Sequence, residues 1–150
     1  MKQNTLKLEL IIQLAGLAHI GLGLGSIMIP RMLDWKSAFA NTPILIKQMF
    51  WTYAGYILFI NVYFGVISLL LATEIISGSG LALAITFLIA IYWIARVAIQ
   101  FLYFDASELP KTLIYKAGEW ILVALFIAFS IVYSYAFYIN YQLWISSSTP

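Results

Sequence analysis

Apolar residues run almost unbroken through four stretches, Leu8–Ile29, Met49–Thr73, Gly80–Phe104 and Lys116–Tyr141, with polar positions gathered mainly in the short connections between them. A helix of about 20 apolar residues crosses the hydrocarbon of a bilayer. Each stretch therefore predicts a transmembrane helix, with limits of about 8–29, 45–73, 80–104 and 112–141. Within Ile57–Leu71 and Leu81–Ala95 apolar side chains cover the whole circumference of a helix, so the charged outer face that a soluble bundle requires is missing. The expected fold is all-α: one polytopic four-transmembrane-helix domain spanning residues 1–150, in up-down-up-down order.

The connections supply the order. Ser77-Gly78-Ser79-Gly80 is too short to let the third helix do anything except return beside the second. Asp105–Pro110 is nearly as tight, and Pro110 is placed to open the fourth helix, so helices three and four are neighbours too. The longest connection, Pro30 to Asn41, mixes Arg31, Asp34, Trp35, Lys36 and Phe39, as suits a short segment lying among lipid headgroups. Thr42-Pro43 predicts an N-cap followed by proline at the first helical position.

Composition sharpens this picture. At 63% hydrophobic and 9% charged, the chain lies far from soluble domains, in which about a quarter of residues are charged. The net charge of +2 comes from scattered residues and no basic cluster, so neither a nucleic-acid partner nor strong anionic-lipid recognition is indicated. With no Cys, disulfides and thiolate chemistry are excluded. Lys2 and Lys7 fall on one side of the membrane and Arg31, Lys36, Lys47, Lys111 and Lys116 on the other. The positive-inside rule then predicts cytoplasmic 30–48 and 105–115 loops and extracytoplasmic termini, in the inner membrane if the cell is bacterial. Met1-Lys2-Gln3-Asn4 ahead of an apolar run is similar to a secretory signal, but the run is long and its nearest small-x-small site, Ala38-Phe39-Ala40, lies beyond Pro30, so a retained first span is expected.

Polar groups inside the spans are the candidate chemistry, because each is costly in hydrocarbon and normally faces the protein interior. Helical projection gathers Tyr92, Arg96, Gln100 and Tyr103 into one stripe of helix three. It sets His19 among Ala15, Gly16, Gly23 and Ser26, Asn61 among Ala54, Gly65 and Ser68, and Glu119 with Val123, Phe126 and Ser130. Arg96 and Glu119 differ in depth by roughly 7 Å at 1.5 Å per residue, within reach of a guanidinium, so an intramembrane ion pair is expected. It would serve either as a structural bridge or as part of a site. The candidate ligand-binding set is Arg96, Gln100, Tyr92, Tyr103, Glu119, His19 and Asn61, forming a polar path from Asp105 and Glu119 toward the midplane. Structural hydrogen bonding is the plainer role for His19 and Asn61, and Gly21-x-x-x-Gly25 resembles a helix-packing motif.

A single His cannot supply both axial ligands of a bis-His haem, no carboxylate cluster suits a dinuclear metal, and no nucleophile-elbow or phosphate-loop motif occurs. No metal is assigned and no cofactor is indicated. The four-span layout is similar to small multidrug transporters and to DoxX-like proteins. The former carry an essential Glu in the first helix, where this chain has His19 and the interfacial Glu9, and the latter match in helix count but not in motif. His19 followed by Pro30-Arg31 is faintly similar to the first helix of membrane-type protoporphyrinogen oxidases, at a shorter spacing. None of these assigns a family. The expected function is binding of an amphipathic or lipophilic molecule, lipid or quinone-like, or service as an accessory subunit in a homo- or hetero-oligomer. The alternatives are a proton-coupled small transporter, with Glu119 or His19 titrating, and a membrane enzyme acting on a lipophilic substrate.

Overall fold

The computed structural model describes residues 2–104 and 113–148, and every regular element among them is a helix. In chain order these are α1 (Lys2–Ser26), α2 (Ile29–Met32), α3 (Trp35–Ala38), α4 (Ile44–Leu70), α5 (Ala72–Ile75), α6 (Gly80–Leu102) and α7 (Leu113–Ser148). Four stretches, Leu6–Met32, Ile44–Leu70, Gly80–Leu102 and Lys116–Ser147, are long and apolar enough to cross a membrane. Only 28% of the most apolar window of each is buried within the protein. Large apolar side chains such as Leu6, Phe59, Leu102 and Ile121 are between 61% and 86% exposed, which water would penalise and lipid does not.

The helix limits follow local chemistry. Pro43 lacks an N–H and its carbonyl accepts from Lys47 N at 3.2 Å, so it stands at the cap and α4 begins one residue later than Thr42-Pro43 predicted. Leu71 (φ −120°, ψ 30°) interrupts the second apolar run, which continues as the single turn α5. Ser79 Oγ accepts from Ala82 N at 3.1 Å and caps α6. Helix α7 runs seven residues past the expected limit at 141, to Ser148, because polarity at its end does not stop a helix. There Ser146 and Ser147 donate to the carbonyls of Leu143 and Trp144, back within the same helix. The expected proline start of the fourth helix at Pro110 lies outside the described residues.

Two compact units make up the chain, Gln13–Leu70 and a second formed by Met1–Ile12 with Leu71–Pro150. In the first, a Cβ on Gly16 would stand 2.8 Å from Gly65 O and 2.9 Å from Leu69 N, and one on Gly23 would meet Val62 Cγ2 at 3.1 Å. Numbers rise along α1 as they fall along α4, so these two helices are antiparallel with their backbones in contact at the Gly16/Gly65 crossing. Small residues permit that approach, and in a bilayer close packing is the main attraction between helices. Gly21 and Gly25 face open space, so the Gly-x-x-x-Gly string does not make the α1/α4 contact.

In the second unit α6 and α7 are also antiparallel: Thr86 meets Asn140, Phe87 meets Phe137, and Trp93 meets Phe129 and Phe126. The buried face of α6 is Ala82, Thr86, Ile89, Ala90 and Trp93, and that of α7 is Val123, Phe126, Phe129, Tyr133, Ala136 and Asn140. Both keep helical spacing of three and four. Trp93, 1% exposed, lies 4.7 Å from the Phe129 ring and 5.2 Å from Phe126. Thr73 Oγ1 donates to Glu9 Oε1 at 2.8 Å, tying α5 to the start of α1.

Candidate functional site

Arg96 lies six residues inside the end of α6, about 9 Å from it at 1.5 Å per residue. Its guanidinium sits over the rings of Phe104 and Phe126, 4.9 Å and 4.8 Å from their centroids. The Phe126 ring stacks in turn on Trp93 at an interplanar angle of 29°, so the cation ends a buried aromatic column. Ring faces attract a desolvated cation by about 2 kcal/mol and leave its N–H edge available.

The expected Arg96–Glu119 ion pair is not formed among the described residues, and the reason is register. Antiparallel pairing sets Arg96 level with Phe126, while Glu119 stands seven residues earlier on α7, about 10 Å along its axis. Gln100, one turn further along α6, is the stripe residue that lies near Glu119. The two share a cleft of about 190 Å³ with Phe101, Trp120 and Val123. One amide, one carboxylate and three largely apolar side chains thus line a cleft on the same helix pair as Arg96, which has no carboxylate partner among the described residues.

The rest of the helix-three stripe disperses. Because the fully buried face of α6 is centred on Ile89 and Trp93, the Tyr92, Arg96 and Gln100 line flanks it and is only half-buried. Tyr92 meets the Trp93 ring edge-on at 5.3 Å. Tyr103 has left the helix and is 82% exposed, beside Phe104. Asp105 lies outside the described residues.

His19 and Asn61 belong to the other unit and come together at the Gly16/Gly65 crossing. His19 is fully buried. Its Nδ1 donates to Ala15 O at 2.8 Å, since a carbonyl can only accept, and its ring meets Phe64 edge-on at 6.2 Å. Asn61, one turn before Gly65, donates from Nδ2 to Ile57 O at 2.8 Å, while its buried Oδ1 has no hydrogen-bond partner. A buried orphan acceptor costs about 1–3 kcal/mol.

Asn140 is the polar residue that sequence reasoning passed over. Fully buried, it donates from Nδ2 to Ile75 O at 2.7 Å and to Thr86 Oγ1 at 3.2 Å, and its Oδ1 accepts from Gly78 N at 2.9 Å. Gly78 needs its positive φ of 74° there, and a Cβ on it would lie 2.5 Å from that of Leu143. The signal was present: Asn140 continues the Phe126, Phe129, Tyr133, Ala136 spacing, which marks it as inward-facing.

These features define a class, a small multi-pass membrane protein, all-helical among the described residues, with a cation and a small, mainly apolar cleft on one helix pair. No family model matches the chain, and no match is found among curated proteins or solved structures.

Proposed function

We propose that this protein binds an amphipathic, lipophilic molecule, lipid or quinone-like, with its polar head at Arg96, Gln100 and Glu119 and its tail in the surrounding bilayer. The observation that carries the reading is Arg96 itself: a cation inside a span, held by two aromatic faces and without an ion pair among the described residues. The cleft of about 190 Å³ is below the 300–1,000 Å³ usual for a whole drug-sized ligand, so it suits a headgroup or the polar edge of a ring. Gln100 supplies a donor and an acceptor, and Glu119 an acceptor, for a head that carries hydroxyl or carbonyl oxygens. The proposed arrangement is a single up-down-up-down bundle. Antiparallel pairing inside each unit and the short 71–79 connection support it. The Lys and Arg balance supports extracytoplasmic termini, and the inner membrane if the host is bacterial.

Native mass spectrometry and solvent extraction of protein purified in mild detergent test the binding. A retained amphiphile that is lost in Arg96→Ala and weakened in Gln100→Leu is expected. Retention equal in wild type and Arg96→Ala would overturn the assignment, as would ligand-free protein that carries out flux driven by a proton gradient in liposomes.

A further inference from the structure

The connection between α1 and α4 builds a second pocket, of about 580 Å³, in the Gln13–Leu70 unit. Three cations line it, Arg31, Lys36 and Lys47, against one acid, Asp34. Among the described residues none of the three is paired with a carboxylate. Lys47 Nζ donates once, to Ala40 O at 3.2 Å, and an ammonium has two further donors. The wall opposite is aromatic. Trp35 lies 4.8 Å from the Phe50 ring and 5.7 Å from Trp51, which fastens the one-turn helix α3 onto the first turns of α4.

Location selects the occupant. The pocket lies between the end of the Leu6–Met32 span and the start of Ile44–Leu70, the depth at which headgroups and interfacial tryptophans meet. Deeper along α4, beyond Trp51, Ile57 and Phe59 are 56% and 66% exposed, an apolar surface on which acyl chains can lie. We propose that this pocket is a binding site for an anionic phospholipid: the phosphate is held by Arg31, Lys36 and Lys47, the glycerol region lies against Trp35 and Trp51, and the chains run down α4. An excess of cations disfavours zwitterionic lipids, whose ammonium would meet like charge. This site shares no lining residue with the Gln100/Glu119 cleft and does not rest on the function proposed there.

The test is native mass spectrometry of the whole chain in micelles titrated with phosphatidylglycerol or with phosphatidylcholine of identical chains. Preferential retention of phosphatidylglycerol is expected, reduced about 25-fold in Lys36→Gln/Lys47→Gln at about fivefold per cation. Equal retention of both lipids, or undiminished phosphatidylglycerol in the double variant, would overturn the proposal. Displacement by millimolar inorganic phosphate would assign the site to the free anion and overturn the lipid assignment. Should the double variant fail to fold, wild-type protein labelled with a diazirine phosphatidylglycerol decides. Label in the 30–51 segment supports the site, and label confined elsewhere refutes it.

Discussion

Replacing Gly16 by alanine puts one methyl group into the backbone-to-backbone contact between α1 and α4. The new Cβ would lie 2.8 Å from Gly65 O, 2.9 Å from Leu69 N and 3.0 Å from Ser68 Cβ, where ordinary contact begins near 3.4 Å. Two of these three are backbone atoms, which cannot rotate aside as a flexible side chain can, so α1 and α4 must separate by about 0.5 Å. A gap of that size forfeits about a quarter of each dispersion contact along the crossing, and overpacking of this kind costs about 1–3 kcal/mol. Alanine returns about 0.8–1.0 kcal/mol in helix propensity. A net loss of up to about 2 kcal/mol is expected. Gly21→Ala is the internal control, because nothing lies within 4 Å of its added Cβ and only the propensity gain remains. Denaturant titration in mixed micelles measures both. The double variant Gly16→Ala/Gly65→Ala should lose less than the two single losses together, since helices already separated accept the second methyl more easily. Gly16→Ala as stable as Gly21→Ala would refute the backbone contact.

Further outcomes follow from single residues. Asn140→Leu removes three hydrogen bonds and should cost about 2–3 kcal/mol, whereas Thr86→Val, whose hydroxyl is mostly engaged with Ala82 O at 2.7 Å, should cost under about 1 kcal/mol; equal thermal shifts would contradict this. Asp34 holds a left-handed conformation (φ 43°, ψ 50°), so Asp34→Val should destabilise by about 1–2 kcal/mol while Asp34→Asn stays neutral, as thermal unfolding can check. Arg96→Ala and Glu119→Ala should have additive effects on stability, within about 0.5 kcal/mol, because no ion pair joins them among the described residues. Coupling above 1 kcal/mol would restore the pair.

The hydrophobic pattern determined most of the architecture. Runs of about 20 apolar residues have one stable form in hydrocarbon, a helix with its backbone bonds internal, so four spans and their approximate limits were legible without coordinates. The small-residue faces around His19 and Asn61 were legible too, since Gly16, Gly23, Gly65 and Ser68 repeat with helical spacing. Register was not. Whether Arg96 meets Glu119 or Phe126 depends on how far α7 slides along α6, and that is set by the packing of Trp93 against Phe126 and Phe129. Periodicity places a residue on a face and says nothing of its level. For the same reason Gly21 and Gly25 matched a motif yet face open space, while Gly16 and Gly65, far apart in sequence, make the crossing. Asn140 belongs to the structure's share as well, because its partners Ile75, Gly78 and Thr86 come from a turn and a helix that only the fold brings to it. Burial of apolar surface tolerates many registers, whereas a hydrogen bond or a ring contact needs its partner within a few ångströms, and that proximity belongs to the tertiary structure.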